Sequence, residues 1–294
     1  MSKALVTGST GFVGSHLVRR LTAEGWSVSR LLRDDLETAT PLAGVDDRRW
    51  DGSTGGAVAA VAAAAPDVVF HLAALFVAEH VTADVAPLVE SNVLVGAQVA
   101  EAMLRAGCRL MVNTGTSWQR DAAGAYGPVC LYAATKQAFE DLLDYYVSAE
   151  GFAAITLRLY DTYGPNDVRP KLVNALAAAQ RSGTPLALSP GEQLVDLVHV
   201  DDVAAAFALA GRRLLDGGSG HERFDVATGD LRSLREVVAA YGAAAGRPVP
   251  VRWGARPYRR REVMTPPAGT PLPGWQAQVS LDDGFRRLVV RDDG

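Results

Sequence analysis

Ala4-Leu5-Val6 is an apolar run of strand length, and Thr7-Gly8-Ser9-Thr10-Gly11-Phe12-Val13-Gly14 follows it without a break. The glycines form Gly-x-x-Gly-x-x-Gly, and helical periodicity takes over from Phe12 to Glu24. A strand that reverses at once into a helix needs a tight turn, a bare backbone face and close helix–strand packing, and glycine supplies all three. The helix N-terminus then offers N–H groups and a positive dipole end, which suit a pyrophosphate. The plain alternative is a glycine-rich turn with no ligand. Placement between a first strand and a first helix favours the phosphate cradle, made of Gly8, Thr10, Gly11, Phe12, Val13 and Gly14.

The pattern then repeats. Strands are expected at Val28 to Leu32, Val45 to Trp50, Asp67 to Leu72, Leu110 to Asn113, Ala153 to Leu159 and Phe224 to Ala227. Helices are expected at Ala57 to Ala65, Pro87 to Ala106 and Leu131 to Ala149. Such alternation implies parallel pairing through right-handed crossovers. The all-apolar runs Val68-Val69-Phe70 and Leu110-Met111-Val112 suit a sheet buried on both faces. After about residue 164 Gly and Pro become frequent, which marks a smaller satellite.

Composition narrows the class. Net charge is −4 and hydrophobic residues make up 48% of the 294, an ordinary soluble globular balance with no bulk charge for nucleic acid. No uninterrupted apolar stretch reaches the ~18 residues of a membrane span. The N-terminus enters the first strand directly, so no signal peptide is expected. The two cysteines, Cys108 and Cys130, fit a reducing cytoplasm, and no Cys/His set has metal-ligand spacing.

Two further sites carry chemistry. An acid about 20 residues beyond the glycines would accept from the ribose 2′-hydroxyl of NAD. Here the strand ends in Leu32-Arg33, followed by Asp34 and Asp35. Arg33 is either a solvated surface residue or a ligand for a 2′-phosphate, and the latter makes NADP(H) the expected cofactor over NAD(H). Tyr132 and Lys136 stand one helical turn apart on one face. An ammonium there is expected to lower the phenol's pKa, making it a proton carrier for a carbinol oxygen. Upstream, Asn113-Thr114-Gly115-Thr116-Ser117-Trp118 brings hydroxyls to the C-terminal edge of a strand, where such sheets place ligands.

Together with Phe70-His71-Leu72-Ala73-Ala74, Ser91-Asn92-Val93-Leu94-Val95-Gly96, Leu157-Arg158-Leu159-Tyr160-Asp161-Thr162-Tyr163-Gly164-Pro165 and Asp196-Leu197-Val198-His199-Val200-Asp201-Asp202, these motifs resemble the extended short-chain dehydrogenase/reductases, the NAD-dependent epimerase/dehydratase family. The resemblance covers nearly the whole chain. It implies an α/β fold with a doubly wound parallel Rossmann sheet over residues 1–164. A smaller C-terminal substrate-binding domain would take 165–294, with segments from about 196–228 returning to the sheet. It implies that Asp51, with Gly52 beside it, meets the adenine. Leu72, Ala73, Ala74, Asn92 and Leu159 would also contact the dinucleotide. Tyr132 and Lys136 would be catalytic, with Thr114 in the place of the third catalytic residue and Thr116 as runner-up. Phe76, Thr116, Tyr160, Asp161, Arg169, Lys171 and Arg259 would face the substrate; for Arg169, Lys171 and Arg259 a solvated loop is the equal alternative. A homodimer through a four-helix bundle is also implied.

Within the family, Asn113 to Trp118, Leu131 to Glu140 and Arg169-Pro170-Lys171-Leu172 are most similar to reductases of nucleotide-linked 4-keto-deoxyhexoses, such as CDP-abequose synthases. Gly115 and Thr116 stand where dehydratases carry acids, Phe76 where epimerases carry Lys, and Val195 where they carry Arg. The expected reaction is therefore NADPH-dependent reduction of a nucleotide-diphosphate sugar at carbon 4. A 4-epimerase retaining NAD is the first alternative and a non-catalytic NADP-binding sensor the second.

Overall fold

The computed structural model describes residues 1–34 and 40–292. Its centre is a seven-stranded parallel sheet. The strands are β1 (Lys3–Thr7), β2 (Ser27–Arg33), β3 (Val45–Trp50), β4 (Val68–His71), β5 (Leu110–Thr116), β6 (Ala153–Leu159) and β7 (His221–Val226), in the spatial order β7-β6-β5-β4-β1-β2-β3. Short two-residue and three-residue strands elsewhere pair outside this sheet.

Alternation along each strand sends side chains to two layers. Ala4, Val6, Val28, Phe70 and Val112 pack on one face against α1 (Phe12–Ala23) and, across the sheet order, α7 (Val200–Leu215), through Leu17, Leu21, Val203 and Phe207. Leu5, Val69 and Met111 face the other layer. There α2 (Thr54–Ala64), α4 (Val95–Ala106) and α5 (Leu131–Glu150) supply Val61, Val99, Met103, Phe139 and Leu143. Each such side chain, fully withdrawn from water, stabilises by about 1.5–3 kcal/mol. A third cluster joins α6 (Leu172–Ser182), α8 (Leu234–Ala244) and α9 (Leu281–Asp292) around Tyr163, Leu176, Tyr241 and Phe285.

The order reverses between β1 and β4. From β1 the chain builds outward to β2 and β3, then returns to β4 and builds the other way. Parallel sheets bind ligands outside the carboxyl ends of strands at such a switch point. Here those ends are Thr7 and His71, which are register partners.

Boundaries differ from the sequence reading for local reasons. Helix α2 starts at Thr54 because Ser53 caps it, its Oγ accepting from the Gly56 N–H at 3.0 Å; Gly55 and Gly56 hid that start. Strand β5 runs three residues past Asn113 because β6 offers a ladder as far as Thr116↔Leu159. Strand β7 begins at His221 although its first three residues are polar. It is an edge strand, and those residues pair with Asp144, Arg213 and Glu140. The helix read from Pro87 to Ala106 starts two residues earlier and is divided, a π turn over Glu90–Leu94 separating α3 (Val85–Val89) from α4. Such turns recur at functional sites.

Candidate active site

The glycine turn has the geometry the spacing demanded. Gly8 takes φ +65, and a Cβ there would lie 2.6 Å from the Ala73 nitrogen. A Cβ on Gly14 would lie 2.1 Å from the Gly8 carbonyl oxygen, so the first turn of α1 closes on the loop only because both lack side chains. The N-cap of α1 is Gly11, and among the described residues no side chain caps that N-terminus. Thr7 ties the loop to β4. Its Oγ1 accepts from the N–H groups of Leu72 and Ala73, both at 3.1 Å, and lies 3.0 Å from His71 Nδ1. With two N–H groups already on the oxygen, the hydroxyl proton goes to Nδ1, which leaves His71 with its proton on Nε2. Ser9, also buried in the loop, has no partner for its hydroxyl among the described residues.

At the far side, Arg33 ends β2 and its guanidinium carbon stands 4.0 Å from where a Cβ on Gly52 would be. The Asp34 N–H donates to the Trp50 carbonyl at 2.9 Å, while Asp35 lies outside the described residues. Asp51 is exposed. Its carboxyl is held below its ordinary value by the Ser53 hydroxyl and N–H, which donate to it at 2.7 and 2.9 Å.

Tyr132 and Lys136 are both buried on α5. The Lys136 amine is fully enclosed with no partner among the described residues, and burial pushes it down to about 8 against the opposing pull of Glu140. Burial also pushes the Tyr132 phenol above its ordinary value, with Cys130 adding to the rise and Arg169 opposing it. This reverses the expected lowering. Desolvation outweighs charge at both groups. His71 is held neutral, at about 3, by burial and by Lys136.

The two candidate threonines differ. Thr114 donates its hydroxyl to the His71 carbonyl at 2.9 Å. The Thr116 hydroxyl accepts from the Trp118 N–H at 3.3 Å, which leaves its own proton free to be donated. Asn92 is fully buried, and its amide is spent on the Leu75 backbone and the Thr135 hydroxyl at 2.8–3.0 Å. It fixes the loop after β4 rather than offering that amide to a ligand.

The residues expected to face a substrate gather beside Tyr132. The exposed Phe76 ring stands 5.0 Å from the Tyr132 ring and 5.7 Å from Trp118. The Lys171 ammonium lies 3.9 Å from the centre of Phe76 and 3.6 Å from Asp161, and the Arg259 guanidinium lies 5.1 Å from the centre of Trp118. Arg169 stacks 4.4 Å over Phe12 of the glycine loop and is clamped by Asp167 and Thr162. Leu159 ends β6, and Asp161 begins the short strand Asp161–Tyr163 that follows it. Tyr160 departs from the expectation. It is buried in the first core cluster and its hydroxyl donates to the Pro267 carbonyl at 2.7 Å, so that hydroxyl is unavailable to a ligand.

Residues 4–227 match the NAD dependent epimerase/dehydratase family. The chain belongs to that family. A UDP-glucose 4-epimerase of Mycolicibacterium smegmatis is 30% identical over 98% of this chain and 97% of its own length. A CDP-abequose synthase of Salmonella muenchen is 24% identical over 98% and 97%. Among solved structures, the Thermus thermophilus UDP-glucose 4-epimerase complexed with NAD superimposes with a TM-score of 0.84 at 29% identity, covering 99% of both chains.

A nicotinamide dinucleotide fits the residues this family member presents. The glycine turn leaves room only for backbone, the uncapped start of α1 suits a pyrophosphate, and the enclosed Lys136 amine lacks a partner that a ribose hydroxyl would supply. Two buried residues with roles here, Gln119 and Glu140, were not singled out from sequence. The one signal for Glu140 is its spacing, a further turn beyond Lys136 on the same face.

Proposed function

We propose that this chain reduces the carbon-4 ketone of a nucleotide-diphosphate deoxyhexose, with NADP(H) as cofactor and residues 165–294 forming the substrate domain apart from the segments at about 196–228 that return to the Rossmann sheet. The observation that carries the reading is the apolar wall beside the proton donor, with the Phe76 ring 5.0 Å from the Tyr132 ring and 5.7 Å from Trp118, which holds a sugar in one pose. Reduction needs a protonated donor beside the ketone, and burial keeps the Tyr132 phenol protonated. A bound nicotinamide supplies the hydride. The Tyr132 hydroxyl gives its proton to the sugar oxygen as charge develops on it. The Thr116 hydroxyl donates a second hydrogen bond to that oxygen, and Thr114 braces the loop at His71. The Lys136 amine holds the cofactor ribose and keeps the phenol oriented. Phe76 and Trp118 form an apolar wall for the sugar, while Lys171 and Arg259 serve the diphosphate. Arg33, at the end of β2, would take the 2′-phosphate of NADP(H).

A 4-epimerase is the second reading, supported by the 30% identical relative. It requires the sugar to turn over between two hydride transfers, and a wall set by Phe76 and Trp118 favours one pose. Incubation with NADPH and CDP-, dTDP- or UDP-linked 4-keto-6-deoxyglucose should consume the cofactor stoichiometrically. Interconversion of UDP-glucose and UDP-galactose with no net cofactor use would replace the reductase by the epimerase. A folded protein that binds NADP yet acts on neither would favour the sensor.

We also propose a homodimer through α4 and α5. Leu94, Leu142 and Tyr145 are exposed apolar residues on these neighbouring helices or their entry turn. Sedimentation should give a dimer that a Leu142→Glu, Tyr145→Glu double variant dissociates; a wild-type monomer would remove this assignment.

A further inference from the structure

The carboxylate of Glu140 is fully buried, one turn beyond Lys136 on α5. A buried charge is costly unless it is paired, and Arg223 and Arg158 pair it, donating to Oε2 at 3.0 and 3.3 Å. Its other oxygen is used differently. Oε1 accepts from Gln119 Nε2 at 2.6 Å, and Gln119 is itself fully buried. The remaining hydrogen of that amide goes to Gln137 Oε1 at 2.9 Å, and Gln119 Oε1 accepts from the Thr116 N–H at 2.8 Å. Donors and acceptors on both sides fix which way the amide points. Thr116 in turn receives the Trp118 N–H on its hydroxyl, closing a reciprocal cap over the turn Ser117–Gln119.

We propose that Glu140 is a positioning residue that acts through Gln119 to fix the end of β5, and with it the Thr116 hydroxyl, against the helix that carries Tyr132 and Lys136. Helical spacing puts Tyr132, Lys136 and Glu140 on one face, so a single rigid rod carries the proton donor, the amine and the clamp. Two arginines already neutralise the carboxylate; the Gln119 link adds no charge balance. What it adds is a fixed distance between two elements that meet at the reacting oxygen. The catalytic part of this proposal rests on the reductase reading; the mechanical part does not.

The test uses the full chain with NADP(H) bound and two variants, Gln119→Leu and Glu140→Gln. The first leaves the Glu140–arginine pairs intact, so it keeps the test decisive should Glu140→Gln fail to fold. A misplacement of about 1 Å is worth about 100-fold in rate. The kcat of Gln119→Leu should therefore fall by about 10- to 100-fold, with KM for the nucleotide sugar and the dinucleotide Kd within about twofold. Wild-type kcat, or losses shared equally by KM and Kd, would overturn the proposal. If the wild-type protein turns over no nucleotide sugar, the reductase reading fails while hydrogen exchange still reads the clamp. The Thr116 amide should exchange about tenfold faster in Gln119→Leu, with Leu110 to Asn113 unchanged. An unaltered Thr116 rate would overturn it.

Discussion

Lys136→Met should make the protein more stable while removing its activity. The wild-type amine is enclosed without a partner among the described residues, and burial lowers it from 10.5 to about 8. Each tenfold change in proton affinity is worth about 1.4 kcal/mol, so holding that lysine in the fold costs roughly 3 kcal/mol at neutral pH. Methionine keeps the length of the chain and discards the charge. At about 2 °C per kcal/mol for a chain of this size, the variant should melt roughly 6 °C higher. The sign follows from proton counts. Between the folded value of about 8 and the ordinary 10.5 the unfolded chain holds the extra proton, so wild-type stability rises with pH across that window. The penalty is fully present below the folded value and fades above it. The difference in melting temperature should therefore be largest at neutral pH and shrink as pH rises toward 10.5. Scanning calorimetry of both proteins without added dinucleotide reads this. Saturating NADPH should then raise the wild-type melting temperature more than the variant's. A variant that melts no higher, or a gap that widens with pH, would refute the account of Lys136.

Four further outcomes are expected. Tyr132→Phe should lose about 100- to 10,000-fold in kcat with NADPH binding retained by fluorescence titration, since only the proton donor is removed. Gly14→Ala should abolish dinucleotide binding by calorimetry, because its Cβ would stand 2.1 Å from the Gly8 carbonyl. Arg33→Ala should weaken NADPH about 10- to 100-fold and leave NADH unchanged, the loss of charge-assisted bonds to one phosphate. Equal losses for both cofactors would detach Arg33 from the 2′ position. The dimer experiment on Leu142 and Tyr145 completes the set.

Much of the fold was legible because its signals are local. The turn from β1 into α1 is written in glycines, and β6 falls at Ala153–Leu159 as read from its apolar run. The Tyr132/Lys136 spacing needed only helix geometry. Phe76, Asp161, Lys171 and Arg259 were legible through resemblance, and they do assemble, joined by ring and charge contacts. What stayed hidden depends on partners distant in the chain. Tyr160 is committed by Pro267, 107 residues away, and Glu140 by Arg223, 83 residues away. The direction of the Tyr132 pKa also escaped, because spacing reports a neighbouring charge but not how much water the fold removes from both groups. Helices α6, α8 and α9 were passed over individually. Their apolar faces make sense only when packed on one another around Tyr163 and Phe285.

The central claim is hydride delivery to a sugar carbon beside Tyr132. NADPH deuterated at the transferring carbon of the nicotinamide, incubated with nucleotide-linked 4-keto-6-deoxyhexoses, tests it most directly. One deuterium at carbon 4 of the product sugar per NADPH consumed, lost in Tyr132→Phe, is the expected result. A protein that binds NADPH and leaves every such sugar unlabelled would contradict it.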